Sequence, residues 1–494
     1  MLMPCSALLA RTRSIFKPVH RAFRFHGIIP VLLLIIYTLR AGGQINAPLV
    51  QQIDALLQSP ALKGGIQGCL VLSSDGGQPI YQHMDTLSLL PASNQKIFTS
   101  AAALTLLGAD RRFITTLRTT GTIRNGTLIG NLILEGGGDP VLSLADITRF
   151  ADDVKKLGIR RIHGRVIGVR SLQNDTPYPD GWSWDDLPYA YAAVPCGLNV
   201  EENRVIVQVR PGYRPGSRPK VKMNPEGGIS IDNRAITAAP GKPNTLVIGR
   251  IWDGSSVSIR GSIATGMVDE QIAVSDPAQF AVRLLCIQLR KAGIYLKGGT
   301  TRQSDRIISR EIARHESPTL SEIVRTMNKT SDNLIAEVLL MNLGALDGGK
   351  GTTKEGLKQI TRWMSAQGIP TDFISLHDGS GLSRLDRATA WALAKTLILM
   401  RNNDDFVRSL PVAGVDGTLQ KRMLGTAAAG NCKAKTGSMS GICSLSGYVT
   451  TADGQHLVFV MLMNNHSTPA NKVREVQDKT VNTLAGWRQE APSP

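Results

Sequence analysis

Residues 89–108 read LLPASNQKIFTSAAALTLLG, a helix-forming segment that is apolar on nearly every side. Ile97, Phe98, Ala101, Ala102, Ala103, Leu104, Leu106 and Leu107 leave no polar face of the width a surface helix needs, so this helix is expected to be buried. Yet Lys96 sits one turn into it, and lysine is among the side chains least often buried without a partner. Whatever fold the chain adopts must make that burial worthwhile.

Ser93 stands three residues before Lys96, and residues i and i+3 share a helix face. A lysine in a low dielectric is driven toward its neutral form, which accepts a proton from serine, while the helix N-terminus favours negative charge at Ser93. Burial therefore creates a base. The S-x-x-K spacing alone is weak, since it recurs at Ser14 to Lys17 and at Ser217 to Lys220. The former lies in a leader-like segment and the latter in a polar Ser-Arg-Pro-Lys loop, so context selects Ser93. The competing structural reading is an N-cap serine followed by a snorkelling lysine.

The 494-residue chain is too long for one ordinary domain, and its 42% hydrophobic, 19% charged composition is that of a globular protein. Residues 1–43 hold Arg11, Arg13, Lys17, Arg21, Arg24 and Arg40, no acidic residue, and an apolar run over 28–39. That order is the order of a secretory signal, with an uncleaved anchor as the alternative. The expectation is an exported, periplasmic or extracytoplasmic protein, with peripheral or anchored membrane association left open. The formal charge of +17 favours polyanionic surfaces such as wall polymers, whereas the few aromatics (5%) argue against a stacking platform for nucleic acid. Cys69, Cys196, Cys286, Cys432 and Cys443 form no CxxC pair and read as free, buried thiols; no cluster has metal-site spacing, so no metal and no cofactor is expected.

Texture divides the chain. Residues 44–112 hold a helix, a hairpin and the helix described above. Residues 113–274 switch to short alternating segments such as FITTLRT, RVIVQVRPG and SVSIRGSI, with a polar, Pro- and Gly-rich stretch near 211–227, and read as a β-rich insertion. Helices resume at Ser275-Asp276-Pro277, an N-cap followed by proline, and residues 275–494 end in antiparallel strands and a helix. Both ends thus have the pattern to share one antiparallel sheet covered by helices, an α/β (α+β) architecture split by the insertion.

Two further elements follow Ser93 and Lys96 in order. Ser331-Asp332-Asn333 lies between helical segments and Lys435-Thr436-Gly437 on an edge-like strand. Serine relays a proton, asparagine offers a donor and an acceptor to a peptide, and lysine with threonine binds a carboxylate beside a glycine that admits close backbone approach. Each triplet alone is commonplace; the ordered trio S-x-x-K, S-D-N, K-T-G is the pattern of the serine β-lactamases and penicillin-binding proteins.

Beyond the trio, the chain resembles the low-molecular-mass class C penicillin-binding proteins, the D-alanyl-D-alanine carboxypeptidase/endopeptidases, over essentially everything after residue 43. The separation of 238 positions from Ser93 to Ser331 matches their long insertion. So do GGGDPVL (136–142), WSWDDLPYAYAAVPCGLNVEENRV (182–205), DGSGLSR (378–384) and GVDGTLQKRM (414–423).

The resemblance implies a β-lactamase/transpeptidase-like domain in which Ser93 is the nucleophile, Lys96 the base, Ser331 and Asn333 relay protons and position substrate, and Lys435, Thr436 and Gly437 bind its carboxylate along the edge strand. It also implies an oxyanion hole from the Ser93 and Ser438 N–H groups, and it brings Asp139 and Arg384 toward the cross-linking side chain of the stem peptide. Ser440 stands where some relatives carry glutamine. The expected activity is cleavage of terminal D-alanine from peptidoglycan stem peptides, and of D-alanyl cross-links, through a Ser93 acyl-enzyme that β-lactams also form. The rivals are a β-lactamase or esterase on the same fold and a non-catalytic wall-binding protein.

Overall fold

Strands from the two ends of the chain meet in one antiparallel sheet. It comprises β1 (Ile66–Ser73), β2 (Pro79–His83), β3 (Lys433–Met439), β4 (Ile442–Thr450) and β5 (His456–Asn464), in the order β2-β1-β5-β4-β3. The computed structural model describes residues 47–489 apart from 173–175, 252, 253, 255 and 304–307; the leader expected over 1–43 lies outside them. Among the described residues no helix is long and apolar enough to cross a membrane.

Those residues hold ten α-helices: α1 (Ala47–Leu57), α2 (Gln95–Leu107), α3 (Leu144–Lys156), α4 (Pro277–Lys291), α5 (Leu320–Thr330), α6 (Asn333–Gly344), α7 (Thr353–Ala366), α8 (Ala390–Met400), α9 (Asp404–Ser409) and α10 (Ala470–Gly486).

The sequence of β5, HLVFVMLMN, is apolar almost throughout because both of its faces are covered. Alternation sends Leu457, Phe459, Met461 and Met463 into one core with Leu49 and Ile53 of α1 and Val473, Val481 and Leu484 of α10. Val458, Val460 and Leu462 point the other way, onto Ile97, Phe98 and Ala101 of α2. On its far side α2 meets α5, α6 and α8, so it is enclosed by sheet and helices, as its all-round apolar sequence requires. Truncating the fully buried Phe98 to alanine should cost about 3–5 kcal/mol, because helices on one side and a sheet on the other leave little room to collapse.

The β-rich insertion builds a second core. Its main sheet orders the strands 300–303, 166–170, 132–136, 114–119 and 310–316, and smaller sheets include residues 204–210, 220–224 and 268–273. Three expectations change here. The insertion contains the helix α3, whose Ser143–Asp146 capping box and apolar Ile147, Phe150 and Val154 were a readable signal. The polar stretch near 211–227 is not one loop, since Lys220–Asn224 pairs with Arg204–Arg210. The insertion also ends later than 274: Phe280, Leu284, Leu285 and Leu289 of α4 pack among the inserted strands, and Thr300–Gln303 and Arg310–Glu316 complete their sheet. An N-cap with a following proline marks where a helix starts, not which core it joins. The chain leaves and returns side by side, with Ser317 N donating to Phe113 O and Phe113 N to Ser317 Oγ, each at 2.9 Å.

Candidate active site

Ser93 lies in a single 3₁₀ turn, Ala92–Asn94, and α2 begins at Gln95. In that tighter winding residues i and i+3 eclipse, which sets Lys96 directly behind the serine. Lys96 is fully buried while Ser93 stays half-buried at the floor of a cavity of about 300 Å³. Lys96 Nζ donates to Ser93 Oγ at 3.0 Å, to Asn333 Oδ1 at 2.6 Å and to Ser380 O at 2.7 Å. Burial lowers the lysine from its ordinary 10.5 to about 8, although the carboxyl groups of Asp378, Asp332, Glu337 and Asp386 pull it back up. Near neutral pH a usable fraction is therefore the free amine.

Ala92 holds a left-handed backbone (φ 45°), a strain of about 1–3 kcal/mol in a non-glycine residue. Neighbours lock it in place. Ser444 Oγ donates to Pro91 O at 2.6 Å and accepts from Asn94 Nδ2. At Gly381 (φ 83°) a Cβ would stand 1.8 Å from Ala92 O, and at Gly437 one would stand 2.1 Å from Ser444 Oγ and 3.0 Å from Ser93 N. Gly437 thus lets the edge strand press against the serine turn.

The second motif joins α5 to α6. Ser331 takes the left-handed C-cap position (φ 62°), Asp332 caps α6 by accepting from Ile335 N at 2.8 Å, and Asn333 Nδ2 donates to Tyr191 O at 2.8 Å. Lys435 on β3 is fully buried and donates to Ser331 Oγ at 2.9 Å. Burial, and then the neighbouring Lys96, hold Lys435 well below 10.5. Thr436 Oγ1 donates to Thr418 Oγ1 at 2.7 Å, and Ser438 Oγ accepts from Arg474 Nη2 at 3.0 Å. Ser93, Ser331, Asn333, Arg384, Ser438 and Ser440 all line the cavity.

Asp139 does not line it. It is 2% exposed, its Oδ1 accepts from Val141 N at 2.9 Å, and its Oδ2 lies 3.4 Å from His315 Nε2. It shapes a turn inside the insertion. The carboxylate that lines the cavity is Asp186, which accepts from Tyr191 OH at 2.7 Å, and both belong to the segment WSWDDLPYAYA noted in the sequence.

Sequence reasoning also passed over the buried acids behind Lys96. Asp378 accepts from Gly381 N (2.6 Å), Ser383 N (2.7 Å), Ser380 N (3.1 Å), Ser380 Oγ (3.2 Å) and Trp182 Nε1 (2.9 Å). Glu337 accepts from Ser380 N at 2.8 Å and Gly379 N at 3.0 Å. Among the described residues no group of three or more His, Cys, Asp or Glu could hold a metal ion, and the five cysteines there are free and buried.

An accessible serine backed by a buried lysine is serine acyl-transfer geometry. Comparison with known proteins agrees: the model of the D-Ala-D-Ala carboxypeptidase 3 (S13) family matches residues 49–486. The chain belongs to the S13 family. A D-alanyl-D-alanine carboxypeptidase of Actinomadura sp. (strain R39) is 36% identical over 467 residues, covering 90% of this chain and 86% of that protein. The D-alanyl-D-alanine carboxypeptidase DacB of Haemophilus influenzae is 28% identical over 82% of this chain and 87% of its own length. The crystal structure of penicillin-binding protein 4 (dacB) from Haemophilus influenzae superimposes with a TM-score of 0.81 at 27% identity, covering 88% of this chain and 99% of that one. The S13 chain described here is accordingly a serine D-Ala-D-Ala carboxypeptidase of the low-molecular-mass class C type, on the β-lactamase/transpeptidase fold.

Proposed function

We propose that Ser93 attacks the carbonyl preceding a terminal D-alanine of a peptidoglycan stem peptide, with neutral Lys96 taking its proton. The observation that carries this assignment is the 3.0 Å contact between a fully buried Lys96 Nζ and a cavity-facing Ser93 Oγ. Negative charge on the tetrahedral oxygen is received by the N–H groups of Ser93 and Ser438. Ser331, held by Lys435, relays the proton to the departing amine, Asn333 orients the peptide, and Lys435 with Thr436 receives the terminal carboxylate. Water then releases the acyl group.

A β-lactam presents a strained amide beside a carboxylate and acylates Ser93 by the same route, its leaving nitrogen staying tethered. A solved structure of Haemophilus influenzae penicillin-binding protein 4 holds a novel β-lactam, and it superimposes with a TM-score of 0.75 at 26% identity. At the cavity rim Asp186 and Arg384 offer one charge of each sign, which suits a zwitterionic side chain at the cross-linking residue. A partner of that kind supports D,D-endopeptidase cleavage as a second activity. The protein works outside the cytoplasm, where its substrate lies, and the basic leader serves its export.

Incubation with purified cross-linked and uncross-linked muropeptides, followed by product mass determination, tests the reading. Loss of one D-alanine (carboxypeptidase) or scission of dimers (endopeptidase) supports it. Rapid turnover of penicillin with both muropeptides untouched would establish a β-lactamase instead.

A further inference from the structure

One of the three acceptors that serve Lys96 is a backbone carbonyl, Ser380 O at 2.7 Å. It belongs to residues 378–383, a loop without regular secondary structure, so its position must come from elsewhere. Two fully buried carboxyl groups supply it. Asp378 gathers the loop on itself and onto Trp182. Glu337 ties the loop to α6, accepting from Gly379 N and Ser380 N, the two amides that flank the bend. Glu337 stands four residues after Asn333, so one face of α6 touches Lys96 directly through Asn333 and indirectly through the loop that Glu337 holds. Glu337 does not line the cavity.

We propose that Glu337 is a positioning residue for Lys96: it fixes the loop carbonyl that aims Nζ at Ser93, and its negative charge sets how readily the lysine releases its proton. This rests on Lys96 acting as the base. Burial, and then Asp378, raise Glu337 from 4.5 to about 8 even though its two backbone N–H donors and Lys96 favour the ionised form, so its charge develops over the same alkaline range in which Lys96 gives up its proton. The charged or titratable groups around the pair are Asp378 and Asp386 from the loop, Asp332 at the start of α6, and Lys435 from β3. Asp386 is pushed well up by burial and by Asp378, and Asp378 is committed to five donors. Asp378 acts on Lys96 more strongly but binds the loop to itself, whereas Glu337 both faces Lys96 electrostatically and ties the loop carbonyl to α6, the helix that carries Asn333.

The test is the second-order rate of acylation by a fluorescent penicillin, measured from about pH 6 to 10 on the parent and two variants. Glu337→Gln keeps one acceptor oxygen and loses the charge, so the acid-side midpoint should fall by about one pH unit. Glu337→Asp keeps the charge and loses reach, so the midpoint should stay while the high-pH plateau drops about tenfold or more. Either variant decides alone if the other does not fold. A Gln variant with an unmoved midpoint, or an Asp variant with an undiminished plateau, overturns the proposal while leaving the function of Ser93 intact. A parent that is not acylated at all overturns both.

Discussion

Lys435 Nζ donates to Ser331 Oγ across 2.9 Å, joining the edge strand to the helix junction, and no carboxylate within the described residues forms a salt bridge with it. Burial and the neighbouring Lys96 disfavour the charge on Lys435, and we propose that a substrate carboxylate arriving beside it restores the ammonium form and is bound by it. Lys435→Ala should lower kcat/KM for removal of D-alanine and for acylation by penicillin roughly ten- to a hundredfold, from a charge-assisted bond of about 1.5–3 kcal/mol. Lys435→Arg should restore only part, because a planar fork does not replace a compact charge in a closed site. A substrate analogue with an amidated carboxylate should be poor for the parent and lose little more on mutation, a comparison that steady-state kinetics makes directly.

Ser93→Ala should abolish labelling by a fluorescent penicillin, and Ser217→Ala should leave it unchanged. Ser217 shares the S-x-x-K spacing, but its Oγ donates to Arg214 O at 2.6 Å and Lys220 Nζ lies 4.1 Å over the Tyr213 ring. Neither side chain faces the other, and Lys220 is exposed. Gel fluorescence of the two variants reads the difference.

The rate of acylation should rise with pH through about 8 in the parent. Below that value Lys96 carries its proton and cannot accept one from Ser93; above it the free amine predominates, so the gain comes on the alkaline side. A profile already flat from about pH 6 upward would mean that another group is the base.

Asp139 and Arg384, paired by sequence resemblance, should separate by experiment. Arg384→Ala, at the exposed cavity rim, should raise KM about tenfold for stem peptides whose cross-linking side chain carries a carboxylate, with Tm unchanged. Asp186→Asn should do the same for the side-chain amine. Asp139→Ala should leave kinetics alone and lower Tm by several degrees, since it removes a buried acceptor for Val141 N and one of the two carboxylates beside His315, the other being Asp146.

Much of the site was legible because its chemistry is written in short range. Ser93 and Lys96 are three residues apart across a 3₁₀ turn and the first turn of α2, and the S-D-N and K-T-G triplets carry their meaning in type and order. The antiparallel sheet was legible for a similar reason: β3, β4 and β5 follow one another with tight turns. What stayed hidden depends on which distant segments meet. Asp139 precedes a proline in a turn and Asp186 follows another acid, and nothing local says which one reaches the cavity. Glu337 was the recoverable miss. In NLIAEVLLMNLGAL it is a lone charge on an otherwise apolar helix, the same anomaly that singled out Lys96, and the same question would have found it.

The pairing of Ile66 with Asn464, along the full length of β1 and β5, makes the order of synthesis matter. A chain emerging from its N-terminus makes the nucleophile early and the strand that braces it almost last. Contacts so distant along the chain form slowly, after the cost of closing a very long loop. The inserted strands can pair among themselves meanwhile, but Ser93 has no edge strand beside it and Lys96 no walls around it. A chain that has not yet added its final strands lacks the assembled Ser93 and Lys96 site, so hydrolytic activity should appear only once those strands have paired.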